Sequence, residues 1–149
     1  MTASQQKVTA YITRTVNEDV QLLTMTSNDT TWAGVEVPGG TVDAGENLET
    51  ALFREVKEEA DLTDVEIISY LGDNEYISRT TGERIIRHNY HLCFNGQSHD
   101  AFQVIVESND KDNGWLYDYE WVSLSQDEEL QLADKLQPGL IQLRKRILH

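Results

Sequence analysis

Cysteine occurs once, at Cys93, so no disulfide can form within the chain. A reducing compartment is the natural setting, and the expected location is cytoplasmic. No apolar run approaches the roughly 20 residues that span a bilayer. The opening MTASQQKVTAY has neither the basic nor the apolar region of a secretion signal. Bases are also scarce, with 12 Lys and Arg against 26 Asp and Glu and a net charge of -14. That balance argues against non-specific binding to nucleic acid or to an anionic membrane, both of which need basic patches. It would also repel a phosphate compound unless a divalent cation removed part of the penalty. The plainer account is that excess acid keeps the protein soluble.

What is present fits one domain over residues 1–149, with 39% apolar and 26% charged residues and neither repeat nor linker. Lys7 to Thr13 alternates and is β-branched, as a strand should be. Val16 to Asp19 reads as a turn and Val20 to Met25 as a second strand, together a hairpin. Ser27 to Thr31 is a polar loop. Trp32 to Val37 reads as a short strand stopped by Pro38-Gly39-Gly40. Asn47 to Ala60 is the clearest helix, with Asn47 as N-cap. Val65 to Leu71, Tyr76 to Ser78, Ile85 to Phe94, Phe102 to Val106 and Leu116 to Leu124 read as strands. Gln126 to Lys135 and Leu140 to Leu148 read as helices separated by Pro138-Gly139. This order predicts an α+β protein, not a regular βαβ repeat.

The chemistry concentrates in Val37 to Leu62, VPGGTVDAGENLETALFREVKEEADL. On a helical wheel, Leu48, Leu52, Val56 and Ala60 form an apolar stripe. Glu55, Glu58 and Glu59 cluster beside that stripe rather than opposite it. Carboxylates three and four residues apart repel one another, more so when partly buried. They also stand in the last turns, where the helix dipole disfavours them. A hard cation such as Mg2+ or Mn2+ would relieve that strain through oxygen ligands. Alternatively, Arg54 pairs with Glu58 and the remaining acids form a solvated face. Pro38-Gly39-Gly40 tips the balance, because two glycines can take φ > 0 and bring backbone close to a ligand.

The spacing Gly40, five residues, Glu46, seven residues, then Arg54-Glu55-Val56-Lys57-Glu58-Glu59 resembles the Nudix box, G-x5-E-x7-R-E-U-x-E-E-x-G-U. Val56 and Leu62 fill the aliphatic positions. Asp61 replaces the last glycine, which predicts a stability cost at a left-handed helix cap rather than lost chemistry. Trp32 with Val35 to Gly40, and Tyr119 to Leu124, also resemble the family's flanks. The resemblance implies a Nudix-like α/β/α sandwich with a central mixed β-sheet. It implies a hydrolase that cleaves the diphosphate linkage of a nucleoside diphosphate-linked small molecule with Mg2+ or Mn2+, by water attack on phosphorus. It implies Glu55, Glu58, Glu59 and the Gly39 carbonyl as metal ligands, with Glu58 or Glu59 handling the proton. Arg54 and Glu46 would brace the loop against the helix beside Gly40. Family members are often dimers, which leaves a homodimer open here.

Relatives often add a later acid. Glu107, Asp110, Asp112, Asp118 and Glu120 all qualify; Glu107 and Glu120 are preferred, against the plainer reading of solvated acids. Arg79, Arg84, Arg87 and His88 form a local basic group suited to phosphate, with Arg84 and Arg87 as substrate-binding candidates. Surface ion pairs explain that group equally well. Tyr90, Trp115 and Tyr117 are available for stacking on a base, though core packing is the plainer reading. Asn109 to Glu120 imitates a calcium loop, but Lys111 occupies a ligand position and a strand precedes it. His91 and Cys93 share a strand face without further zinc ligands, which favours a buried thiol. Two other functions compete: a non-catalytic nucleotide-binding or regulatory module on the same fold, and an acidic interaction protein with a chance box.

Overall fold

The computed structural model describes residues 4–27, 34–108, 113–126 and 130–147. Strand β1, Gln5–Val16, turns into β2, Asp19–Ser27. Val16 pairs with Asp19, so Asn17 and Glu18 alone make the turn, at φ 50 and 70. Positive φ at both central residues matches the twist of a two-residue hairpin. Then follow β3 (Gly39–Thr41), α1 (Leu48–Ala60), β4 (Val65–Ile77) and β5 (Arg84–Phe94). The chain ends with β6 (Ala101–Ile105), β7 (Leu116–Ser123), a 3-10 turn at Asp134–Leu136 and α2 (Gln137–Ile147).

The strands form one seven-stranded sheet in the order β4-β5-β1-β2-β7-β6. β1 and β5 run parallel and the other pairs are antiparallel, so the sheet is mixed. β1 changes partners along one edge. It pairs with β2 at Thr13 to Val16 and with β3 at Lys7 to Thr9. This exchange brings the glycine turn into the sheet beside α1.

Each face of the sheet carries its own core. Val8, Ala10 and Ile12 of β1 pack with Leu52 and Val56 of α1. Tyr11 joins Leu136, Leu140 and Leu143 on the α2 face. Burial on both faces explains why residues 8–13 are all buried. Tyr11 donates a 2.6 Å hydrogen bond to the Leu136 carbonyl, and a Cβ at Gly139 would overlap its ring. The layers are therefore α/β/α, as the resemblance to the family implies.

Five expectations need correction. Trp32 to Val37 is not a regular strand in its described part: Val35 and Glu36 make only isolated bridges, to Leu132 and Met25. The glycines do not stop a strand but form one, because a Cβ at Gly39 would meet the Val8 carbonyl oxygen. Val65 to Leu71 and Tyr76 to Ser78 fuse into β4, which follows β5 through two register shifts with Gly72 at φ 95. Gln126 to Lys135 is not a helix where described. Leu130 and Leu132 are both buried with Gln131 exposed between them, a strand-like pattern, and the 3-10 turn begins at Asp134. α2 also starts earlier than expected and includes Pro138 and Gly139. Proline is tolerated in a first helical turn, where its missing N–H has no intrahelical partner.

Helix α1 matches its sequence reading. Asn47 caps it by accepting a 2.8 Å bond from the Thr50 amide. Asp61 ends it at φ 54 and ψ 38, in the left-handed region, and its N–H donates to the Lys57 carbonyl. Its carboxylate pairs with Lys57 at the surface. We expect Asp61→Gly to raise stability by about 0.5–1 kcal/mol, since the backbone strain exceeds the value of an exposed pair. Chemical denaturation checks this, and turnover should not change.

Candidate active site

The helix wheel places Glu55 and Glu59 beside the apolar stripe, and the structure buries both, at 3% and 6% exposure. The cause is local. Ala51, Leu52, Val56 and Ala60 must face the sheet, and residues at i, i+3 and i+4 follow them inward. Glu59 accepts a 3.1 Å hydrogen bond from the Gly39 amide. Tyr119 donates to the Glu59 carbonyl at 2.7 Å and fixes that end of the helix. Glu55 lies over Gly40, where a Cβ would overlap its carboxyl group. Gly39 and Gly40 thus matter for close approach, not for positive φ, which neither adopts.

Arg54 is the hub. Its Nε and Nη2 grip Glu46 at 2.8 and 2.9 Å, a bidentate pair. Nη1 reaches Glu55 at 3.0 Å and Glu58 at 3.3 Å, and Nη2 also donates to the Thr41 carbonyl at 3.0 Å. The expected brace between Arg54 and Glu46 and the simple i, i+4 pair with Glu58 are therefore both present. The Arg54 hydrogen bonds, joined by one from the Asp43 amide, hold the Glu46 carboxyl down at about 2. The same pairing with Glu46 raises the Arg54 pKa and keeps it charged.

The donor set of Glu55, Glu58 and Glu59 is all oxygen and anionic, the chemistry a hard divalent cation takes. Two of the three are nearly inaccessible to solvent, where a cation would neutralise most effectively. The residues therefore fit such an ion in kind and in placement along one helix. Among the described residues, no three acidic, His or Cys side chains gather around one point. Arg54 engages Glu55 and Glu58, while the Gly39 amide engages Glu59.

The later acids are not brought to a single point. Glu107 is exposed beyond β6, and Glu120 is exposed on β7. Glu120 and Asp118 line a cleft of about 470 Å3 with Thr24, Thr26 and Phe102. Asp110 and Asp112 lie outside the described residues. A second cleft, about 580 Å3, runs along the loop from Thr41 to Glu46. Neither cleft is lined by Glu55, Glu58 or Glu59.

The basic group divides. Arg84 is exposed and pairs with Glu75 at 2.6 Å. His88 bonds Gln6 and Tyr70. Arg87 is only 5% exposed, held by Thr9 and by the Tyr76 hydroxyl. Tyr90 and Tyr117 belong to the α1-side core, and Trp115 packs edge-on against Tyr117. His91 is buried against the Thr13 hydroxyl, while Cys93 is only partly buried. Sequence reading missed Lys7 and Lys135, which join Arg87 near the site. Their common location had no local signal, since they come from opposite ends of the chain.

Comparison with known proteins supplies the class to which this fold and box belong. The NUDIX domain model matches residues 4–143, so the chain belongs to the Nudix family. That family is one of pyrophosphohydrolases, which generally use divalent metal ions. Among solved structures, the chain resembles Ap4A hydrolase from C. elegans, with 21% identity, 96% of each chain covered and a TM-score of 0.64. It also resembles the NUDIX domain of Shewanella oneidensis NrtR complexed with ADP ribose. There the identity is 20%, the coverage 99% of this chain and 90% of that one, and the TM-score 0.70. A MutT protein from Methanosarcina mazei aligns at 18% identity over 98% and 97% of the two chains, with a TM-score of 0.64. At these identities the likeness is one of fold. No curated protein matches the sequence. Among the described residues, no helix is long and apolar enough to cross a membrane.

Proposed function

We propose that this chain hydrolyses the diphosphate linkage of a nucleoside diphosphate-linked small molecule, a nucleotide, nucleotide sugar or dinucleotide. One observation carries the reading. The box folds as a unit, with Glu55 and Glu59 buried against the Gly39-Gly40 turn and Arg54 tying Glu46, Glu55 and Glu58 together. The likeness in fold to an Ap4A hydrolase and to an ADP ribose-binding NUDIX domain supports a nucleotide substrate.

Glu55, Glu58, Glu59 and the Gly39 carbonyl would hold Mg2+ or Mn2+. When bound, such an ion neutralises phosphate charge and lowers the pKa of water. The chain's own residues do the rest. Glu58 or Glu59 accepts a proton from the water that attacks phosphorus. The Arg54–Glu46 pair keeps the loop of residues 41–46 against α1, and Gly40 admits the Glu55 carboxyl group. Products are a nucleoside monophosphate and the remaining phosphorylated moiety.

A screen of nucleotides, nucleotide sugars and dinucleotides, each with Mg2+, Mn2+ or EDTA, tests this directly. The expected result is nucleoside monophosphate release with metal and none with EDTA. Tight nucleotide binding with no product under any metal would establish the non-catalytic alternative instead.

A further inference from the structure

Two asparagines of the chain precede glycine, at Asn95-Gly96 and Asn113-Gly114. The side-chain amide of such an asparagine is open to attack by the backbone nitrogen of the next residue. Glycine hinders that attack least, because it has no side chain. Both asparagines are exposed, so access to solvent does not separate them. Their hydrogen bonds do.

At Asn113-Gly114 the nucleophile is engaged. The Gly114 N–H donates a 2.8 Å hydrogen bond to the Val106 carbonyl, and Gly114 is held at φ 86. Asn113 Oδ1 accepts from the Ser108 amide at 3.0 Å. Asn95-Gly96 lies just past the end of β5. There the Asn95 N–H donates to the Asp64 carbonyl at 2.8 Å, while among the described residues the Gly96 N–H has no acceptor. The Asn95 amide is oriented at both ends. Its Nδ2 donates to Glu66 at 3.1 Å, and its Oδ1 accepts from the Cys93 thiol at 3.7 Å. A donor therefore polarises the side-chain carbonyl at both asparagines. The two sites differ in whether the glycine nitrogen is free.

Gly96 is fixed by packing. A Cβ there would stand 2.7 Å from Asp64 Oδ2 and 2.8 Å from the Phe94 ring. Phe94 cannot easily yield, since it is 9% exposed and stacks on Trp121. The fold thus requires a glycine behind Asn95, although that glycine makes Asn95 reactive.

We propose that Asn95 is a site of spontaneous deamidation, which converts it to aspartate and isoaspartate while Asn113 is spared. The Gly96 nitrogen gives up its proton and bonds to Asn95 Cγ, closing a succinimide ring. The Cγ–Nδ2 bond breaks, and ammonia leaves with that proton. Water then opens the ring. Addition at Cγ gives aspartate, and addition at the Asn95 backbone carbonyl carbon gives isoaspartate, whose main chain runs through Cβ and Cγ. Water is consumed and ammonia released, with no oxidant or reductant. Either product removes the donor that Glu66 now receives and sets a new carboxylate beside Glu66 and Asp64. Isoaspartate also lengthens the main chain ahead of Gly96, in the crevice against Phe94. These changes fall where Val65 of β4 pairs with Phe94 of β5, next to the connection from α1. Aged protein should therefore melt below fresh protein.

Incubating the full chain in warm, mildly alkaline buffer, then mapping its peptides by mass spectrometry, reads both sites at once. In the native chain Asn95 should convert at least about fivefold faster than Asn113, because freeing the Gly114 nitrogen first costs a hydrogen bond. Fragmentation should show both aspartate and isoaspartate at Asn95. In guanidinium chloride the local structure is lost, and the two rates should converge. Asn95 that stays intact in the native chain, or converts no faster than Asn113, overturns the proposal. A native preference that persists unchanged in denaturant overturns its structural basis. Asn95→Gln should keep its Tm through the incubation while that of wild type falls. An equal fall in both would place the ageing elsewhere. The assay needs neither metal nor substrate, so its outcome is separate from the hydrolase reading.

Discussion

Glu58→Gln and Glu59→Gln each lower kcat by at least about a hundredfold, with the fold intact. The magnitude follows from removing a carboxylate that handles a proton or holds a cation. The fold survives for a reason visible at Glu59. Its Oε1 accepts from the Gly39 amide at 3.1 Å, and glutamine keeps an acceptor oxygen in the same place. Glu58 is the most accessible of the three box acids, with 19% of its side chain exposed, so its replacement disturbs packing least. Steady-state kinetics with Mg2+ and Mn2+, alongside a thermal melt, separates lost chemistry from lost structure. Full activity in both variants would remove the proposed mechanism while leaving the fold assignment untouched.

Arg54→Met lowers stability by roughly 2–4 kcal/mol, less than the full cost of a wholly buried pair because Arg54 is 24% exposed. Three carboxylates lose their shared cation: Glu46 at 11%, Glu55 at 4% and Glu58 at 19% side-chain exposure. Arg84→Met makes the comparison, since it breaks only the exposed pair with Glu75 and should cost under about 1 kcal/mol. Millimolar Mg2+ or Mn2+ should raise the Tm of Arg54→Met more than that of wild type, because a divalent ion can replace the missing charge. The pH dependence has a definite sign. Arg54 depresses the Glu46 carboxyl to about 2 in the folded state, below its ordinary value near 4.5. The pair therefore contributes fully above pH 4.5, and its contribution fades as pH falls toward 2. Glu46→Gln and Arg54→Met should both flatten that part of the stability profile, measured by denaturation between pH 2 and 7. An unchanged acid slope in both variants would show that the pair does not control it.

The spacing of box residues was enough to indicate helix α1, its cap at Asn47 and the grouping of Glu55, Glu58 and Glu59 beside the apolar stripe, while the structure showed that Glu55 and Glu59 are the buried two. A helix imposes a fixed rotation per residue, so position along the chain sets position around the axis. The hairpin at Asn17-Glu18 was legible for a similar reason, a short turn between two alternating runs. Leu130 to Lys135 was misread because its leucines suggest a helix, whereas their alternating burial follows contact with Val35 and the α2 core. Pro38-Gly39-Gly40 was read as a stop because its purpose is close approach to Val8 and Glu55, which no local pattern reveals.

The sequence by itself determined helix α1 and the clustering of Glu55, Glu58 and Glu59 along it, because these depend on short-range periodicity, while the family and the pairing of Arg54 with Glu46 were legible only through the resemblance of the box. Only the tertiary structure decided that β1 leaves β2 for β3, that Arg87 is buried while Arg84 is not, and that Lys7 stands opposite Arg87. Those outcomes depend on which distant strands adjoin and which face each residue takes. Burial and long-range charge arise from that packing, so they could not be read from neighbours in sequence.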